Sequence, residues 1–418
     1  MSGLAEIAAS LRSGTTPPGV EVLKSNTVRV VARAGDVLLK VFLERPANAA
    51  REARALAQAR TRGIAVPEVL ESGEGWTATR FLSTGRAATR ADLAAILGAV
   101  DGAHARGLVH GDLHLGNLLV DGGQVVFLDL QRARFLPWVP PIARRWELGY
   151  LAYSLGEPLP AELAHVRFWR DRRAQTHWRS RTRRCVQESG AFTGFRFDGQ
   201  AGFRRRDADV AALRHALGTI EGAAVLKDAP NTRLLRSGAF ILKQHASARD
   251  ARRAWLGGQG LEARGFATGL ALAWSGRWLA MEDRGATLAA WVQRDFARAD
   301  AAARAELAAR LGSLLARLHR RGVYHADLKA NNVVWSPGRE ALLLDYGRVK
   351  FGARVSRRRR VKNLAQLNAA LPDEVPATLR ETALARYLAE CGYGDDAARL
   401  RRDVIAESLR RSHLWHGC

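Results

Sequence analysis

The chain has 418 residues, 47% hydrophobic and 25% charged, a balance that supports folded cores and excludes an extended disordered chain. Its net charge of +24 favours anionic partners such as nucleic acid, acidic lipid or a phosphorylated substrate. No apolar run approaches a bilayer span, no signal-peptide pattern opens the chain, and Cys185, Cys391 and Cys418 lack metal-ligand spacing, so a cytoplasmic protein with reduced thiols is expected.

The helical period of LAEIAASLRSG comes first, followed by β-prone runs in GVEVLKSNTVRVVARAGDVLLKVF that end by presenting Lys40. ANAAREARALAQARTRG then reads as an amphipathic helix carrying Glu52, and IAVPEVLESGEGWTATRFL as strands. A helical half begins at ATRADLAAILGAVDGAHARG and runs into the loop VHGDLHLGNLLV, with His110, Asp112 and Asn117. FLDLQ supplies Asp129 after an apolar strand, and RRWELGYLAYSL reads as a further helix. FTGFRFDGQAG, rich in glycine and aromatics with no helical period, marks the boundary between two expected domains, 1–195 and 196–418.

The second domain repeats the order. The helix VAALRHALGTI precedes AAVLKDAPNTRLLRSGAFILKQH, which ends in strand-borne Lys243. The helix ARDARRAWLGGQGLEARG, the strands ALAWSGRWLAMED and the long helix RAELAARLGSLLARLHRRG follow. YHADLKANNVV then gives His325, Asp327, Lys329 and Asn332, and LLLDYG gives Asp345. The helix RRVKNLAQLNAAL and a C-terminal helix over DDAARLRRDVIAESLRRSHLWH close the chain. Asp and Asn stand five residues apart in both copies, and the later Asp follows the Asn by 12 and 13 residues. Such self-similarity makes the chain a tandem repeat of one α+β unit, each with a small strand-rich lobe and a helical lobe.

These residue types suit phosphoryl transfer, which needs positioning and charge neutralisation more than covalent help. A strand lysine (Lys40, Lys243) can hold nucleotide phosphates if a helix carboxylate such as Glu52 fixes its ammonium. A loop carboxylate (Asp112, Asp327) can orient the acceptor hydroxyl and take its proton. An amide with a second carboxylate (Asn117 and Asp129; Asn332 and Asp345) offers the hard oxygens that Mg²⁺ takes. His110 and His325 are read as hydrogen-bonding braces of the loop, and Lys329 as a group able to reach the γ-phosphate.

H-x-D-L-x-x-x-N followed by a strand and Asp resembles the catalytic and metal loops of the protein-kinase-like superfamily. LAMEDRGATLAAW, the arginine-bearing DLQRARF and DYGRVKF, and the helices RRWELGYLAYSL and RRVKNLAQLNAAL resemble the bacterial lipopolysaccharide core kinases that phosphorylate Kdo or heptose. HGDLHLGN also resembles aminoglycoside- and choline-type phosphotransferases. The resemblance implies two tandem protein-kinase-like bilobal domains using ATP and Mg²⁺. The implied acceptor is a sugar hydroxyl of lipopolysaccharide or another anionic glycolipid, met peripherally at the inner membrane, with no specific nucleic acid. A protein serine/threonine kinase, against which the lack of an A-P-E segment speaks, and a regulatory pseudokinase pair are the alternatives. Neither copy has a G-x-G-x-x-G loop; SNTVRV and APNTRLL stand in its place. Ala254 aligns with Glu52, which makes the first copy complete and the second the slower site, unless Asp250 one turn earlier supplies the carboxylate.

Overall fold

The protein is described by a computed structural model that covers residues 3–268, 270–371, 374–394 and 396–411. It mixes helix and sheet and separates into two compact units, 1–174 and 175–418.

The first unit begins with α1 (Gly3–Arg12) and the strands β1 (Val20–Ser25), β2 (Arg29–Ala34) and β3 (Val37–Phe42). Helix α2 (Ala47–Thr61) precedes β4 (Val69–Gly73) and β5 (Trp76–Arg80), and the five strands form one antiparallel sheet in the order β1-β2-β3-β5-β4. Period-2 alternation gives the sheet a dry face: Val30, Leu39, Val41 and Trp76 pack with Ala8 and Leu11 of α1. After β6 (Arg86–Ala87), α3 (Leu93–Ala105) leads into β7 (Leu108–Val109), β8 (Leu118–Asp121), β9 (Gln124–Phe127) and β10 (Arg134–Phe135). Helix α4 (Pro141–Ser154) follows, and α5 (Arg167–Arg184) runs through the division at residue 174. Ile96, Val100, Leu113, Phe127 and Leu151 form the helical core. Gly149 allows the close crossing of α4 and Trp169, since a Cβ there would lie 2.5 Å from the Trp169 Cβ.

The second unit carries a seven-stranded antiparallel sheet. Its strands are β11 (Phe192–Phe197), β12 (Gln200–Arg205), β13 (Ala224–Ala229), β14 (Thr232–Ser237), β15 (Phe240–His245), β16 (Ala271–Ser275) and β17 (Trp278–Glu282), in the order β11-β12-β16-β17-β15-β14-β13. Five of them repeat the first sheet's order, and α6 (Val210–Gly218) packs Leu213 and Leu217 on Leu235 and Leu242, in the manner of α1. Segment 192–205 is a hairpin added to the β16 edge; Gly202 is required there because a Cβ would meet the Trp274 carbonyl at 1.8 Å.

Helix α7 (Ala248–Ala263) lies beside this sheet, and α8 (Leu288–Asp295) and α9 (Ala301–Arg320) lead to β18 (Val323–His325). The short strands β19 (Val333–Val334), β20 (Leu342–Leu343) and β21 (Val349–Phe351) and the helices α10 (Arg357–Ala370), α11 (Ala377–Cys391) and α12 (Ala397–Leu409) complete the unit. The core is built from Trp255, Leu314, Leu318, Trp335, Tyr346 and Leu364, among others. Residues 412–416 of the expected C-terminal helix lie outside the described residues, as does Cys418. Cys185 and Cys391 are free and buried. Among the described residues no helix is long and apolar enough to cross a membrane.

Candidate functional site

Each unit brings its strand lysine to the aspartate that follows the second short strand of its helical part, Asp129 or Asp345. In the first, Lys40 on β3 donates to Glu52 of α2 at 2.5 Å and to Asp129 at 3.4 Å. Arg29, at the start of β2, holds the other Asp129 oxygen at 3.0 Å. Glu52 is buried, and burial pushes its carboxyl above the ordinary range against the pull of the Lys40 charge. Burial acts to raise Asp129 as well, but the charges and hydrogen bonds of Lys40 and Arg29 outweigh it and hold the carboxyl low. Asp129 sits in the left-handed region at φ 60°, as does Asp345 at φ 52°. Non-glycine residues adopt this conformation at a cost when a site needs the side chain aimed in a set direction.

The loop carrying Asp112 is braced from beneath. The Asp112 N–H points at Nδ1 of His110 (3.4 Å), and Nε2 of the same ring meets the Leu128 carbonyl at 2.9 Å. One ring nitrogen accepting and the other donating is the pattern of a neutral imidazole. Burial agrees, holding the His110 pKa below its ordinary value. Asn117 Nδ2 donates to the Asp112 carbonyl at 2.9 Å. Below them, Glu147 of α4 accepts from the Gly111 N–H at 2.7 Å and meets buried His104 at 3.0 Å. Gly111 has φ 80°, and a Cβ there would strike the Arg132 carbonyl at 2.6 Å. Asp112 itself is partly exposed, with Arg173 at 3.9 Å.

The second unit reproduces the loop with altered support. His325 Nε2 meets the Leu344 carbonyl at 2.9 Å, and Nδ1 faces the Asp327 N–H at 3.3 Å. Asn332 donates to the Asp327 carbonyl at 2.7 Å, while Lys329 pairs with the Asp327 carboxylate at 2.8 Å. Asn363 of α10 takes the place of Glu147, donating to the His325 carbonyl at 2.6 Å and facing His319 at 3.3 Å.

Lys243 pairs directly with Asp345 at 2.7 Å. Burial would raise Asp345, but the Lys243 charge and hydrogen bond prevail and lower it. Asp250 does not meet Lys243: it bonds Ser247 at 2.7 Å and Arg253 at 3.0 Å at the start of α7. Among the described residues no carboxylate therefore replaces Glu52; instead the Asp345 loop lies against α7. A Cβ on Gly257 would sit 2.2 Å from the Tyr346 carbonyl, and one on Gly258 3.0 Å from its ring. Lys243, Ala254, Asp327, Asn332 and Asp345 line one cleft of about 500 Å³, a volume in the range of ordinary small-ligand sites.

The sequence-predicted residues thus gather into two sets, one per unit. Sequence reasoning missed Arg29, Glu147 and Asn363. Arg29 could have been flagged as the cation standing where a phosphate-covering glycine loop is absent. Glu147 and Asn363 occupy the same place in the two matching helices RRWELG and RRVKNLA.

His245 was also missed. It ends β15 at the register of Phe42 in the first sheet, opposite Thr232 as Phe42 is opposite Arg29. Burial, helped by the Lys243 charge, lowers its pKa to about 4. A histidine with a depressed folded pKa contributes stability that is complete above the ordinary value of 6.5 and lost as pH falls toward 4. His245→Phe should therefore flatten part of the stability loss on acidification. Urea midpoints of parent and variant at pH 7.5 and 5 check this, and equal losses in both would refute it.

Residues 281–383 match the family described as Lipopolysaccharide kinase (Kdo/WaaP), and residues 76–181 match the Phosphotransferase enzyme family. The two matched segments contain the loops bearing Asp327 and Asp345, and Asp112 and Asp129, respectively. No curated protein matches the chain. A solved choline/ethanolamine kinase family protein from Mesorhizobium loti matches at 21% identity over 41% of this chain and 79% of its own, with a TM-score of 0.30. The two family matches, one over each Asp-bearing loop, support an enzyme that acts as a kinase-type phosphotransferase.

Proposed function

We propose that the chain transfers the γ-phosphoryl group of ATP to a sugar hydroxyl of lipopolysaccharide core or a related anionic glycolipid. In this reading two tandem bilobal kinase-like domains work in the cytoplasm, in peripheral contact with the inner membrane. The observation that carries it is the doubled convergence of a strand lysine on a metal-loop aspartate, at 3.4 Å and 2.7 Å, beside a braced Asp-bearing loop. The match of residues 281–383 to the lipopolysaccharide kinase family supports the acceptor class.

Lys40 and Lys243 hold the nucleotide phosphates. Asp112 and Asp327 orient the acceptor hydroxyl and receive its proton. His110 and His325, neutral and buried, keep those loops in place and take no proton. Asn117 with Asp129, and Asn332 with Asp345, offer the one or two oxygen ligands that Mg²⁺ takes from protein, leaving the rest of its shell to phosphates and water. That ion supplies neutralisation of charge on the transferred group. Arg29, which the structure holds on Asp129, would add a further cation for the phosphates. Lys329 is placed to reach the γ-phosphate once it leaves Asp327.

γ-labelled ATP offered with purified core glycolipid, free Kdo, heptose and a generic protein should label the glycolipid or its sugars. Label confined to protein would replace this reading with that of a protein kinase. No transfer to any acceptor would favour the regulatory pair.

A further inference from the structure

The three most exposed large apolar side chains among the described residues are Trp138 (62%), Ile142 (62%) and Phe168 (64%). All three belong to the first unit and lie within four residues of side chains that line one groove. Ile142 lies in the first turn of α4, Trp138 on the segment leading into that helix, and Phe168 at the start of α5, edge-on to Trp169 at 5.2 Å. Ile142 also lines a groove of about 780 Å³, with Trp146 and Trp169 as its apolar wall and Arg51, Arg132 and Arg134 as its cationic one. Gly111 lines the same groove, so it opens next to the acceptor-orienting Asp112.

This groove is built, not incidental. Trp169 is seated by the close crossing over Gly149, and Trp146 packs on Tyr150 with centroids 4.4 Å apart and planes tilted by 45°. None of Arg51, Arg132 and Arg134 pairs with a carboxylate among the described residues. On a chain of net charge +24 many cations lack a carboxylate; what sets these three apart is that they line one groove. Three unpaired guanidiniums beside two indoles suit a ring-bearing anion, since arginine grips phosphate and carboxylate in a fork and indoles cover sugar or ring faces. Three exposed apolar side chains at the rim suit the boundary of a bilayer, where tryptophan settles at head-group level.

Aligning Asp129 with Asp345 places Arg354, Arg358 and Lys362 where Trp138, Ile142 and Trp146 stand. The second unit keeps cations at Arg348 and Lys350 but has no apolar rim at those positions. The combination belongs to the first unit alone.

We propose that this face docks the first unit on an anionic membrane surface: Trp138, Ile142 and Phe168 dip into the interface, and the Arg51/Arg132/Arg134 groove receives the anionic head group of a lipid-borne acceptor beside Asp112. The acceptor role rests on the proposed function; the membrane contact does not, and it can be tested without turnover.

The test is co-sedimentation of the full chain with vesicles of phosphatidylcholine alone or with about one-third phosphatidylglycerol, over a salt series. The parent should bind the anionic vesicles and release as salt screens the charges. Ile142→Ser with Phe168→Ser should weaken binding about tenfold through lost apolar burial. Arg132→Gln with Arg134→Gln should weaken it to a similar degree and flatten the salt dependence. A control pair on the far part of α5, Arg181→Gln with Arg183→Gln, removes the same charge and should change binding little. Unaltered thermal midpoints show that the variants fold.

Equal loss in the control pair would mean diffuse charge attraction and overturn the localised site. Full binding by the Ile142/Phe168 variant, or equal binding to neutral vesicles, would do the same. Label transfer to free sugar without any vesicle binding would leave the kinase reading standing and this proposal refuted. Vesicle binding that follows the variants, with no label transferred to any sugar, would leave the docking face standing and refute the acceptor.

Discussion

Asp112→Asn is expected to lower phosphoryl transfer to the true acceptor by about 10²–10⁴-fold, the usual loss for a positioned general base. The change alters the protonation chemistry with almost no change in shape. The loop around Asp112 is held by backbone atoms, its N–H on His110 and its carbonyl on Asn117, and neither depends on the carboxylate. Among the described residues the partly exposed Asp112 carboxylate is held only by Arg173 at 3.9 Å, which leaves it available to a hydroxyl. Asp327 is already engaged by Lys329 at 2.8 Å, and Lys243, paired with Asp345, has no helix carboxylate beside it among the described residues. Asp327→Asn should therefore leave much of the activity. Rates for both variants with a saturating acceptor decide the matter. The reverse pattern would make the second unit's 500 Å³ cleft the working site and demote the first.

Lys40→Met should be the most damaging single change to stability, at about 3–5 kcal/mol, because it leaves a buried carboxylate without its partner. Glu52 is 3% exposed and bonded to Lys40 at 2.5 Å; no other cation bonds it among the described residues. The loss should depend on pH in a stated direction. An acid whose folded pKa is raised is comfortable when protonated and costly when ionised, so the penalty grows as pH rises through that pKa. The variant should recover part of its urea midpoint near pH 5 relative to pH 8. Lys40→Met with Glu52→Leu should recover more at both. Lys243→Met offers the contrast: the Asp345 side chain is 25% exposed and water can replace the lysine, so its loss should be small. Equal destabilisation by the two lysine changes would show that burial of Glu52 is not the cause.

Most of the local chemistry is readable from the chain. The His, Asp, Asn, Asp series and the strand lysines are short-range patterns, and the first sheet's strand order recurs because its pattern of apolar runs recurs. What is not legible depends on distant partners. Segment 192–205 carries an Asp198-Gly199 turn between β-prone runs, a hairpin signal in itself. Only its pairing with β16, some 70 residues on, shows that it belongs to a sheet. Helix α11 shows little amphipathic contrast; it is defined by α9, where Gly312 lets the Ala383 carbonyl come within 2.4 Å of the place a Cβ would occupy. Helix α5 reads as a run of charge because Phe168, Trp169, Ala174 and Trp178 are too few to set an apolar stripe, and Phe168 is exposed. Glu147 and Asn363 look like ordinary helix polar residues, and their role under the loops exists only in three dimensions.

The glycines of α7 and the carboxylate of α2 solve one problem by different means, and the two solutions would fail under different stresses. In the first unit, helix and metal loop are joined through a chain of charges, Glu52 to Lys40 to Asp129. Acid can break such a latch, and a passing anion can compete for it. In the second, Gly257 and Gly258 let the loop bed directly into the helix, so the join is one of volume. Neither acid nor ionic strength acts on a fit of that kind; a single added methyl group would. The chain therefore holds one adjustable catch and one fixed seat, and only the first could respond to its surroundings within the lifetime of the folded molecule.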